Sequence, residues 1–88
     1  MLVDVVHVEP REPYTLHLRF GDGVEGDVDL ERLIRFEGVF EPLKAPEVFA
    51  AVRVDPELGT IVWPNGADLD PVVLHAAVRG GKGFSAPP

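Results

Sequence analysis

Residues 14–30, YTLHLRFGDGVEGDVDL, decide how this chain folds. Tyr14, Leu16, Leu18 and Phe20 alternate with Thr15, His17 and Arg19, and Val24, Val28 and Leu30 alternate with Glu25, Asp27 and Asp29. A period of two with apolar residues on one side marks a half-buried β-strand. Gly21-Asp22-Gly23 lies between the two runs, so they form a hairpin. A two-residue Asp22-Gly23 loop would set Phe20 across from Glu25 and mix the faces. A three-residue loop with Gly23 in the left-handed conformation pairs Phe20 with Val24 instead. The second register sorts the side chains: Leu16 faces Val28, Arg19 faces Glu25, and His17 faces Asp27. Each exposed charge pair contributes only tenths of a kcal/mol, by the usual ~0.2–1 kcal/mol for such pairs.

Working outward from the hairpin, residues 2–9 read as a preceding strand, joined through Pro10-Arg11-Glu12-Pro13, whose prolines suit a turn. Its periodicity is broken: Val3 and Val5 lie on one side, Val6 and Val8 on the other. On the C-terminal side, Asp29 is an N-cap for a helix from Leu30 to about Phe36, with Gly38 as its stop. A second helix starts at Pro46, where a missing N–H leaves nothing unpaired, with Val48, Phe49 and Val52 as its buried stripe. Its cap position holds Ala45, which has no side-chain acceptor. Residues 53–55 and 60–63 form a second hairpin around Pro56-Glu57-Leu58-Gly59. A last helix follows Asp70 over residues 71–79, with Arg79 favourable at its C-terminal dipole end, and Gly80-Gly81 ends it. The expected architecture is α+β: one small domain over residues 1–79, with an antiparallel three-stranded N-terminal meander and a C-terminal hairpin packed with short helices. Residues 80–88 are a Gly/Pro-rich tail, which Phe84 is expected to dock on the body or on a neighbouring subunit.

Composition narrows the function. The 88 residues include no cysteine, so there is no disulfide framework, thiol nucleophile or thiolate zinc site, and a cytoplasmic location fits best. The start, MLVDVVHVEP, lacks the basic region and long apolar run of a signal peptide, and no segment nears the roughly 20 apolar residues of a membrane span. The net charge is −7, and all fifteen acidic residues lie within residues 1–70 with six of the eight basic ones. Phosphate backbones are bound by releasing counterions with Lys and Arg, so an acidic chain disfavours direct nucleic-acid binding.

The segment TIVWPNGADLDP, residues 60–71, is the most chemically suggestive. Asp70-Pro71 reads as a cap followed by proline in the first helical turn, and Asn65-Gly66 as a turn pair. Trp63 offers a large apolar surface to the core. Only Asp68 lacks a structural assignment. Asp68 and Asp70 are therefore the metal-ligand candidates, for a hard cation such as Mg²⁺ or Ca²⁺, but Asp-x-Asp lacks the further oxygen ligands of a calcium loop. His7, His17 and His75 show no zinc spacing. A pair of His17 and Asp27 could orient an imidazole for base catalysis, yet no nucleophile is patterned beside it. No catalytic residue and no cofactor is assigned. The structural or interaction candidates are Trp63, Asn65, Gly66, Asp68, His17 and Asp27.

Leu16-x-Leu18-x-Phe20-Gly21-Asp22-Gly23, Val28-Asp29-Leu30, Pro42-Leu43, Phe49, Val54-Asp55 and above all residues 60–71 give the chain its likeness to known sequences. Over nearly residues 2–78 it resembles a bacterial family of unknown function, DUF2442. The resemblance implies a small α+β domain with an antiparallel sheet, joined in some relatives to a helix-turn-helix segment for which this chain has no room. Some relatives look like partners encoded beside a small toxin-like protein, which implies an antitoxin-type role. The family supplies no catalytic residues. Three functions are thus expected, in order: a non-enzymatic protein-interaction module binding a basic, toxin-like partner through its acidic surface or a sheet edge; a metal-dependent enzyme or small-ligand binder using Asp68 and Asp70; and a nucleic-acid regulator, disfavoured by charge. Self-association through a sheet edge or the tail is the accompanying oligomeric expectation.

Overall fold

The structure is a computed structural model and describes residues 3–80. Strands β1 (Val5–Arg11), β2 (Thr15–Phe20) and β3 (Glu25–Asp29) form an antiparallel sheet in the order β1-β2-β3. Helix α1 (Leu30–Leu33) follows β3 directly, and a 3-10 segment (Gly38–Lys44) leads to helix α2 (Pro46–Phe49). Strands β4 (Arg53–Asp55) and β5 (Thr60–Val62) make a separate antiparallel hairpin, and helix α3 (Pro71–Arg79) closes the fold. This is the α+β arrangement read from the sequence.

The β2–β3 register is the sorted one: Leu16 faces Val28, His17 faces Asp27, and Arg19 faces Glu25. Phe20 N–H donates to Val24 O at 2.8 Å and Gly23 N–H to Phe20 O at 3.0 Å, with Gly23 at φ +93°, a conformation that glycine adopts without steric cost. Leu16, Leu18, Phe20 and Val28 are buried on the inner face. Helix α3 lies against that face with Leu74, Ala77 and Val78 buried, and it closes on β3 where Gly26 carries no side chain. Burying each such Leu or Val contributes on the order of 1.5–3 kcal/mol.

The first strand departs from expectation. It runs through Pro10 to Arg11, so the turn is confined to residues 12–14 and contains a cis Glu12–Pro13 bond. A bulge between Val5 and His7 resets its phase, which is why no single alternation fits the sequence. Val5 is buried, Val6 is exposed, and beyond the bulge His7, Glu9 and Arg11 all face outward. Pro10 fits inside the strand because of hydrogen-bond parity. The outward-facing residues 15, 17 and 19 of β2 direct their main-chain groups to β1, so the partner of Leu16, Pro10, directs its nitrogen to the outer edge, where no N–H is needed.

Helix α1 also ends earlier than expected, at Leu33, where Ile34 turns extended (φ −135°, ψ 166°). A continued helix would place Phe36 about 240° around from Leu30, off the buried face. The extended backbone instead brings the Phe36 ring edge-on to Tyr14 at 5.0 Å. Gly38, at φ +60°, opens the 3-10 segment and does not cap α1. That segment buries Leu43 and presents Lys44 O to the Tyr14 hydroxyl at 2.5 Å. Helix α2 is a single turn with Phe49 buried and Val48 only half-buried, and Val52 joins the core from beyond it. The expected docking of Phe84 lies outside the described residues.

Candidate functional site

The outer face of the three-stranded sheet is a grid of polar side chains. Register aligns His7, Arg19 and Glu25 in one row, Glu9, His17 and Asp27 in the next, and Arg11, Thr15 and Asp29 in the third. His17 stands at the centre. Its Nδ1 lies 2.7 Å from Asp27 Oδ1 and its Nε2 lies 2.6 Å from Glu25 Oε2. Ionised carboxylates can only accept, so both contacts are hydrogen bonds at once only when both ring nitrogens donate, as they do in the imidazolium. The Glu25 hydrogen bond, then that of Asp27, raises the His17 pKa against the opposing influence of burial and of Arg11. The same contact with His17 lowers the Glu25 pKa.

This geometry changes the reading of the His17–Asp27 pair. A general base needs a free lone pair, and here both ring nitrogens are engaged by carboxylates. The arrangement favours the charged form of the ring. Arg19, although opposite Glu25, is not its close partner; the diagonal contact from His17 takes that place. Arg11 approaches both Glu9 and Asp27 at 3.6 Å. Three cations, Arg11, His17 and Arg19, therefore meet four carboxylates, Glu9, Glu25, Asp27 and Asp29, and the face as a whole is nearly neutral. Its acidity is concentrated on one strand: every outward side chain of β3 is a carboxylate.

β3 is also the end of the sheet, with no strand beyond it among the described residues. The bonds from Phe20 N–H to Val24 O and from Leu30 N–H to Tyr14 O, both 2.8 Å, fix which pairs are hydrogen-bonded. Residues 24, 26, 28 and 30 point their main-chain groups to β2, so Glu25 and Asp27 point theirs outward. Among the described residues, no main-chain bond joins those groups to another element.

The tryptophan segment is a braced corner. Trp63 is buried, and its indole N–H donates to Phe49 O at 3.1 Å. Trp63 N–H donates to Ala67 O at 2.9 Å, and Gly66 N–H returns to Trp63 O at 2.9 Å across the Asn65-Gly66 turn. Asn65 Nδ2 reaches Val39 O at 2.8 Å, tying the corner to the 3-10 segment, while its Oδ1 accepts from Ala67 N–H at 3.3 Å. Asp70 Oδ1 caps α3 through Val72 N–H at 2.8 Å. Asp68 is exposed and pairs through its backbone with Val62. Among the described residues, no three His, Asp or Glu side chains converge as a metal site requires.

One constellation escaped the sequence. His75 Nε2 lies 2.8 Å from Asp22 Oδ2, and its ring meets Phe20 edge-on at 4.8 Å. The Asp22 carboxylate, which accepts first from Val24 N–H and then from His75, has a lowered pKa. This contact fastens α3 to the β2–β3 turn across 53 positions of sequence, and no local spacing signals it.

Residues 5–80 match the family described as Protein of unknown function (DUF2442), and the chain belongs to that family. No curated protein and no solved structure matches it.

Proposed function

We propose that this member of the DUF2442 family is a non-enzymatic protein-interaction module that holds a basic protein partner, of the small toxin-like kind, in an antitoxin-type role in the cytoplasm. One observation carries the reading: β3 ends the sheet, and its outward side chains Glu25, Asp27 and Asp29 are all carboxylates. Opposite charge on the partner would speed encounter and fix its placement. The hydrogen-bonded His17 holds Glu25 and Asp27 in fixed positions before any partner arrives, which lowers the ordering cost of binding.

The test uses the tagged protein as bait in lysate of its own organism at low and high salt, beside a Glu25→Lys/Asp27→Lys variant whose fold is checked by its unfolding midpoint. A basic protein retained stoichiometrically at low salt, weakened at high salt and lost by the variant is the expected result. Retention that ignores both salt and the substitutions would overturn the reading, as would a bait that retains nothing.

A further inference from the structure

We infer that β3 receives its partner as an added β-strand: an extended segment with Lys or Arg at every second residue, seated along Glu25, Asp27 and Asp29. The inference rests on the interaction reading above and specifies how the partner is held. Its starting point is the main chain. Glu25 and Asp27 each direct an N–H and a C=O away from β2 into an edge that is unpaired among the described residues. Such an edge is a template for another strand.

The opposite edge is poorly suited. β1 carries Pro10 with its nitrogen on that side, and the beginning of the strand is tied to the second hairpin by Val5 N–H to Gly59 O at 3.0 Å. Charge then selects the occupant of β3. In an antiparallel addition, residues directly opposite Glu25 and Asp27 place their side chains on the same outer face, at cross-strand distance. Lys or Arg there meets carboxylates. A second copy of β3 would set carboxylate against carboxylate, so self-pairing is opposed and a basic segment is favoured.

Parity gives the test its precision. In an antiparallel addition, the residues facing Glu25 and Asp27 both carry the cationic side chains and donate the main-chain bonds to β3. The probes are short synthetic peptides at low salt: one alternating Lys with Thr, one of the same composition with the lysines in a block, and two alternating peptides N-methylated on the Lys residues or on the Thr residues. The alternating peptide is expected to bind about tenfold tighter than the blocked one and to slow hydrogen exchange at the Glu25 and Asp27 amides; methylation on Lys removes the advantage and methylation on Thr does not. Loss on Thr methylation alone would still show strand addition, in parallel orientation, because parallel pairing uses the intervening amides. Equal binding of all four peptides, weakened by salt, would overturn strand addition and leave the basic-partner reading standing. No binding by any of them would overturn both.

Discussion

A Cβ built on Gly26 would lie 3.0 Å from Val78 Cγ1, so α3 rests on β3 through a missing side chain. Gly26→Ala is therefore expected to destabilise the fold by about 1–2 kcal/mol, since overpacked sites force neighbouring elements apart. Val78→Ala in the Gly26→Ala background should recover part of that loss. Additive losses in a urea double-mutant cycle would show that the two residues do not meet.

The His17 contacts give stability a pH signature. The His17 pKa is raised, so its contribution is complete below the ordinary imidazole titration, near about pH 6.5, and is lost as pH rises through the folded pKa. The Glu25 pKa is lowered, so its contribution is complete above the ordinary carboxyl titration and is lost as pH falls through the folded value. Stability should thus decline at both ends, with the alkaline limb absent in His17→Gln. Proton NMR titration of the ring checks the premise directly; a midpoint at or below that of a free imidazole would contradict it.

The two aspartates of the corner should behave differently. Asp70→Ala removes the α3 cap and should cost about 1 kcal/mol, whereas Asp70→Asn, which keeps an acceptor, should cost little. Asp68→Ala should leave the midpoint within about 0.5 kcal/mol, as for other exposed positions. Mg²⁺, Ca²⁺, Mn²⁺ and Zn²⁺ are expected to leave the melting temperature unchanged. A shift that vanishes in Asp68→Ala would restore the cation reading.

Asn65→Ala breaks the one side-chain hydrogen bond from the turn to the 3-10 segment among the described residues, and should cost about 1 kcal/mol. Faster exchange at the Ala67 amide should accompany it, because Asn65 Oδ1 accepts from that group. Unchanged exchange would place the brace elsewhere.

At the N-cap of α2, Ala45 has extended backbone (φ −75°, ψ 122°) and no side-chain cap bond. Ala45→Asp is expected to stabilise by about 0.5–1 kcal/mol. An equal or lower denaturation midpoint would refute the assignment.

What could be read from the sequence was what local alternation and capping control. Phe20 and Val24 set the hairpin register, and Asp29, Asp70 and Pro71 set helix starts, because each acts within a few residues of chain. The bulge that turns His7 outward was hidden because it breaks the alternation that would reveal it. The 3-10 segment has no apolar period to announce it, and its identity lies in what it serves, Asn65 and Tyr14, both distant in sequence. At the site, the alignment of His17 with Asp27 was legible, but the diagonal bond to Glu25 was not. That bond depends on side-chain rotamers, and it sets a second carboxylate on the ring beside Asp27.

Trp63 is the single tryptophan, buried, with its indole bonded to the Phe49 carbonyl. Its fluorescence therefore watches the place where α2 closes on the corner, and should shift to the red when that closure opens. The ring protons of His17 watch the outer face of the sheet. The chain thus carries two intrinsic reporters, one in the buried corner and one on the outer sheet. Coincident transitions by the two would show that sheet and corner melt as one cooperative unit; separated transitions would show the corner opening on its own.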